Sequence, residues 1–196
     1  GNNDITPQSL LGASLKGEWD ASKSGVLARN AAQFTAANSE YLKRADEAAI
    51  RCGNIDFYFG MWVYLTDTSA TNRVLIIKGA GLIDNTVNYC LYKSTTDVPT
   101  FRIGDNATFK AATWGAALSA TTLYFVECYH DSVNNLVGIC VNRAADATAA
   151  TAGIVPYSAS AGDLRFGASG SATLPHNGKA QCVAFYKRIA TTAERD

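Results

Sequence analysis

Hydrophobic and polar residues alternate along most of this chain, and the alternation is sharpest over residues 55–65. Ile55, Phe57, Phe59, Met61, Val63 and Leu65 share one face at a period of two, while Asp56, Tyr58, Gly60, Trp62 and Tyr64 share the other. One face is wholly apolar and the other is aromatic rather than wet. That pattern predicts a central strand whose second face is partly covered. Shorter runs predict strands at residues 15–19, 33–34, 40–42, 73–78, 87–93, 100–103, 122–130, 136–142, 164–167 and 180–187. Residues 45–50 permit one helical turn. Residues 144–152 mix alanine with Asp and Thr, end at Gly153, and read as a loop or a brief helix.

Polar punctuation at 67–72, 79–85, 94–99 and 104–106 separates these runs. Short strands at such spacing predict an all-β, antiparallel two-sheet sandwich rather than a βαβ alternation. No internal repeat or linker interrupts the pattern. The simplest partition is a lead-in segment over residues 1–14, where Pro7 and Gly12 mark turns, followed by one domain over residues 15–196.

Length and charge narrow the partners. A chain of 196 residues buries a core without metals or bridges. Charged residues make up 17%, and 17 Lys and Arg balance 17 Asp and Glu. No basic stripe supplies the footprint of a nucleic-acid binder. Apolar runs all break well before the roughly 18 positions of a membrane-spanning helix, so no membrane partner is expected. The first residues carry no charged leader followed by an apolar stretch, so no secretory signal is read there.

The 5 cysteines are widely spread, with no C-x-x-C pair to suggest a zinc or redox motif. They read as buried small hydrophobes, with one disulfide as the alternative. Residues 124–141 form a predicted hairpin. A turn centred on Asn134 sets Cys128 opposite Cys140 at bridging range. A slip of one residue removes that arrangement.

Catalytic signatures are missing. Glycoside hydrolysis needs paired carboxylates, and Glu18, Glu40, Glu47, Glu127 and Glu194 contain no close pair. His130 and His176 are the only histidines, without a G-x-S-x-G elbow. His130 beside Asp131 reads as a hydrogen-bonding pair at the hairpin end. The chain is expected not to be an enzyme.

Several fragments, in order, resemble one family. Ala32-Gln33-Phe34 and Ser39-Glu40-Tyr41-Leu42 resemble its opening, and Asp56 to Leu65 its F-T-I-S-A-W-V-Y strand. Ile77-Lys78-Gly79 and Phe101-Arg102-Ile103-Gly104 resemble I-x-K-G and F-R-x-G. Leu123 to Asp131 resembles W-Y-F-V-V-A-W-H-D, and Leu136 to Asn142 matches I-G-I-x-V-N in outline. Leu164 to Ala168 resembles F-x-I-G-A, and Val183 to Arg195 the closing V-x-x-W-x-R-x-L-T-x-A-E-R. The family is the laminin-G-like branch of the concanavalin A-like lectin and glucanase superfamily, and the wording is most similar to phage and environmental bacterial members. The cysteines depart from it, as does Glu127, where the family favours a small or apolar residue.

The resemblance implies a jelly-roll sandwich and a non-catalytic recognition module. Its partner would be a glycan or cell-surface receptor, and its setting a virion appendage or an extracellular or cell-surface protein. The alternative is a structural or decoration subunit, oligomeric or in contact with other virion or surface chains. Legume-type lectins of this superfamily carry metal-binding acids on alternate positions of one strand. By that likeness Glu127, Asp131 and Asn134 are the candidate ligands for calcium. Sugar binding asks for exposed aromatic rings beside placed polar groups. Trp114, Tyr157 and Asn177 are the candidates, with residues 84–88 and His176 as polar neighbours, whereas Trp62 and Tyr64 are expected to pack.

Overall fold

A computed structural model of the chain describes residues 6–8, 31–79, 83–159, 162–170 and 173–195. Its strands are β1 (Thr6–Gln8), β2 (Ala32–Phe34), β3 (Tyr41–Arg44), β4 (Phe57–Leu65), β5 (Arg73–Gly79), β6 (Val87–Lys93) and β7 (Pro99–Gly104). β8 (Phe109–Thr113), β9 (Leu123–Asp131), β10 (Leu136–Val141), β11 (Ala147–Ala150), β12 (Leu164–Phe166) and β13 (Gly178–Tyr186) follow, with one α-helical turn, α1 (Thr192–Arg195), and 3-10 turns at Ala36–Asn38 and Ala48–Ile50. They form two antiparallel sheets, ordered β1-β3-β12-β5-β6-β7-β8 and β11-β10-β9-β4-β13-β2. β12 slots between β3 and β5, and β13 between β4 and β2, so strands remote in sequence pair as in a jelly roll. The fold is the all-β two-sheet sandwich that the alternation predicts.

The period-two face of β4 points between the sheets, and Phe57, Phe59, Met61, Val63 and Leu65 are fully buried there. They meet Tyr89 and Leu91 of β6, Phe101 and Ile103 of β7, and Val137 and Ile139 of β10. The Phe57 and Phe59 rings approach Phe101 edge-on at 6.1 and 5.6 Å. Each such side chain contributes about 1.5–3 kcal/mol relative to exposure.

The other face of β4 is covered at one end by the C-terminal segment. Ile189 and Ala190 pack over Tyr58 and Tyr129. Arg195 Nε donates to Glu127 Oε1 at 2.8 Å, and its Nη2 donates to Asp146 at 3.0 Å. The Tyr58 and Tyr129 hydroxyls donate to the same two carboxylates, at 2.8 and 2.9 Å. The acid that departs from the family pattern is therefore the buried partner of the closing arginine.

The β9–β10 hairpin corrects the disulfide expectation. Asp131 pairs with Leu136, which sets Ile139 opposite Cys128 and Cys140 opposite Glu127. Cys128 then faces the core, Cys140 faces outward, and both are free thiols. The cause is local. Asp131 Oδ1 accepts the Asn134 amide at 2.8 Å and its Oδ2 accepts Asn134 Nδ2 at 2.7 Å, while Asn135 takes φ 54°. Those bonds fix a turn over residues 132–135, one step out of the register that a turn centred on Asn134 requires.

Three further differences stand out. Residues 144–152 contain the edge strand β11 rather than a helix, and Phe109–Thr113 forms β8, which the alternation did not reveal. Residues 6–8 of the lead-in segment pair with β3 at a sheet edge, where Pro7 is tolerated. The strand expected at 15–19 lies outside the described residues.

Candidate functional site

The two sheets share two loop-bearing ends. Residues 66–72 connect β4 to β5, so Leu65, Arg73, Lys93 and Pro99 lie at one end. Phe57, Asp131, Gly79 and Gly104 lie at the other. One loop crosses this second end from sheet to sheet. The Thr151 amide donates to Asn135 O at 2.8 Å, and the Tyr157 amide donates to Gly104 O at 2.7 Å.

The exposed large hydrophobic residues among those described are Ile55 at 37%, Phe109 at 43% and Val133 at 78%, and all three stand at this second end. Ile55 precedes β4, Val133 tops the β9–β10 turn, and Phe109 begins β8 opposite Gly104. Singly exposed apolar residues are ordinary. Their gathering at one end is not, because the described loops elsewhere leave no large hydrophobic residue exposed.

Polar groups frame them. Asn85 Nδ2 donates to Ala107 O at 3.0 Å, and Asn85 O accepts the Asn106 amide at 2.8 Å. A Cβ at Gly104 would lie 2.3 Å from Asn85 O, so only glycine lets the two loops meet. Asn106 is exposed, with φ 75°. Asp56 accepts from Ser132, Asp84 from Thr86, and Asp105 from the Ala107 and Thr108 amides. The last two bonds hold Asp105 below the usual carboxylate range. Arg102 lies with its guanidinium 3.8 Å from the Phe109 ring centroid, and its Nη1 donates to Ile83 O at 2.7 Å. The guanidinium thereby packs against the ring of the exposed Phe109. The arrangement offers apolar and aromatic surface beside amides and carboxylates.

The sequence-predicted residues divide between the ends. Tyr157 lies at this one, half-buried beside Gly104, near the predicted 84–88 loop. Trp114 lies at the opposite end of β7, where its amide donates to Pro99 O at 3.0 Å and it packs against the core. Asn177 is also at that end. Its Nδ2 donates to Asp67 at 2.9 Å and its Oδ1 accepts the Ala36 amide at 3.4 Å, so its side chain holds loops. The structure does not bring the three together.

The calcium set is not assembled either. Glu127 is buried under Arg195, and Asp131 and Asn134 are bonded to each other in the turn. No group of three His, Cys, Asp or Glu side chains among the described residues is placed to hold a metal ion. His130 and Asp131 point to opposite faces of β9, as strand neighbours must. His130 is buried, with Nδ1 2.9 Å from Ile55 O, and burial holds its pKa down. Trp62 and Tyr64 are half-buried on the outer face, where Trp62 lies 5.0 Å from Phe125, centroid to centroid. The alternation placed Ile55 on the core face of a 55–65 strand, but β4 begins at Phe57 and Ile55 is exposed; Phe109 and Val133 escaped the sequence reading because exposure depends on which loops share an end. The one local signal was an aromatic three residues after the Gly104–Asn106 turn.

No protein-family model and no curated protein matches the sequence. Solved structures do match in fold. Domain 4 of AbnA, a GH43 extracellular arabinanase from Geobacillus stearothermophilus, in complex with arabinotriose, superposes with TM-score 0.64 at 12% identity, covering 88% of this chain and 77% of that one. The CBM40 of Ruminococcus gnavus IT-sialidase, bound to α2,3 sialyllactose, gives 0.56 at 14%, covering 71% and 80%. Mouse laminin α1 chain domains LG4-5 give 0.53 at 13%, covering 76% and 37%. At such identities the likeness shows the fold, which is concanavalin A-like and laminin-G-like.

Proposed function

We propose that this chain is a non-catalytic recognition module that binds a glycan or a glycan-bearing surface receptor through the end formed by residues 53–56, 83–86, 105–109, 132–135 and 151–157. The observation that carries the reading is the gathering of Ile55, Phe109 and Val133 at one end, among amide and carboxylate loops. Sugar sites pair apolar ring contacts with a few placed polar groups, and Asp56, Asp84 and Asp105 supply carboxylate acceptors there. The same fold carries the arabinotriose and the sialyllactose in the two bacterial domains above. Sequence wording most similar to phage and environmental bacterial members supports a setting on a virion appendage or cell surface.

A second reading has its own support. The half-buried Trp62, Tyr64 and Phe125 give the outer face of β4 and β9 an aromatic strip, which suits contact with other chains in a structural or decoration subunit. One experiment separates the two. A glycan array with purified chain, in calcium and in chelator, is run beside light scattering. Saturable binding that drops at least tenfold in Phe109→Ala, and holds in Trp114→Phe, supports recognition at this end. Silence across the array with a stable oligomer supports the subunit. Equal losses in both variants remove the binding site from this end.

A further inference from the structure

The loop end opposite the candidate site holds a fully buried amine. Lys93, the last residue of β6, is 0% exposed. Its Nζ donates to Ser69 O at 2.7 Å and to Thr71 O at 3.1 Å, and it pairs with the Asp97 carboxylate. Ser69 Oγ stands 3.3 Å away. An ammonium carries three N–H groups, and here each has an oxygen. The ligands come from loops 66–72 and 94–98, and Asp97 O also accepts the Leu118 amide at 2.9 Å. One positive charge thus ties together the loops that close this end.

We propose that these oxygens form a cage for a monovalent cation of ammonium's size, whose resident occupant is the Lys93 side chain, and that the cage takes up a free ion when that side chain is removed. Distance and charge define the class. Calcium takes six to eight oxygen ligands at about 2.3–2.6 Å, whereas here only three residues supply oxygens, and those of Ser69 and Thr71 stand at 2.7–3.3 Å from the nitrogen. A single carboxylate faces the amine. The neighbouring Asp67 pairs with Arg73 at 3.3 Å and accepts from Asn177, and Arg73 Nε donates to Ser69 Oγ at 2.8 Å. A second positive charge on the ion would sit beside the Arg73 guanidinium with nothing left to balance it. The domain therefore carries its own cation at this end, and nothing in this argument depends on what the opposite end binds.

The test is chemical rescue of Lys93→Ala. Melting is followed by circular dichroism in ammonium, potassium, tetramethylammonium and calcium chlorides at matched ionic strength. The variant is expected to melt several degrees below the parent in tetramethylammonium and to recover saturably in ammonium or potassium. Calcium is expected to give no such recovery, and the parent is expected to melt alike in all four. Equal melting of the variant in ammonium and tetramethylammonium, or rescue by calcium alone, overturns the proposal. Should the variant not fold, the parent still decides. Nitrogen-15 spectra, assigned through the side chain, should show Lys93 Nζ protons protected from solvent at neutral pH. Exchange as fast as that of an exposed lysine overturns it.

Discussion

His176 lies fully buried just before β13, with its ring 5.9 Å from that of Phe34. The backbone at Tyr64 and Lys179 runs close by, yet neither ring nitrogen reaches hydrogen-bond geometry. Burial, aided by the nearby charges of Arg73 and Lys93, holds the imidazole down to about 4, below its ordinary 6.5. A histidine depressed in the folded state is protonated on unfolding at intermediate pH. Its contribution is complete above about 6.5 and is lost as pH falls from there towards 4. That interval corresponds to about 3 kcal/mol. Urea denaturation at pH 7, 5.5 and 4 should show the parent losing roughly that much more stability than His176→Gln. Parallel pH curves for the two proteins would contradict a neutral buried ring.

At the scale of elements, the closing segment matters more than its one helical turn suggests. Arg195 neutralises a carboxylate that is 0% exposed, so removing the guanidinium strands Glu127 in the interior. Arg195→Met is expected to cost about 3 kcal/mol in urea denaturation. Adding Glu127→Gln should restore much of that, because the uncompensated charge is then gone. A double variant no more stable than the single one would mean that the segment acts through Ile189 and Ala190 instead. This pairing also shows what sequence can and cannot carry. β4 was legible because large side chains alternate without a break, and β6 because both its ends meet turn residues. β11 was not, since Ala-Thr-Ala-Ala offers too little contrast between faces and an edge strand needs little. The hairpin register turned on hydrogen bonds from Asp131 to Asn134, which no hydrophobic pattern encodes. In the candidate site, Tyr157 and the 84–88 loop were legible as residue types. Their meeting with Phe109 was not, because it depends on β7 carrying Gly104 to the same end.

For the whole molecule, the thiols report on integrity. The chain has 5 cysteines, and Cys52, Cys90, Cys128 and Cys140 are free and buried. Burial pushes the Cys52 thiol up to about 12, and burial with the Glu127 charge pushes Cys140 to about 11. Ellman's reagent at neutral pH should therefore modify no more than one thiol before unfolding, and all five after it. Two or more fast-reacting thiols in the folded protein would place a cysteine-bearing strand at the surface. Reductant should leave the melting temperature unchanged, in keeping with the register that separates Cys128 from Cys140.

The crossing loop at residues 151–157 is bonded to one sheet at Asn135 and to the other at Gly104, and it turns at Ala152 and Gly153, both with positive φ. It works like the adjustable jaw of a gauge. Insertions or deletions at the exposed Ala152 and Gly153 would reset how high the loop stands over the gap between the sheets, while Thr151, Ile154 and Pro156 keep it seated. A library diversified only at Ala152 and Gly153 would sample loops of graded height on an unchanged frame.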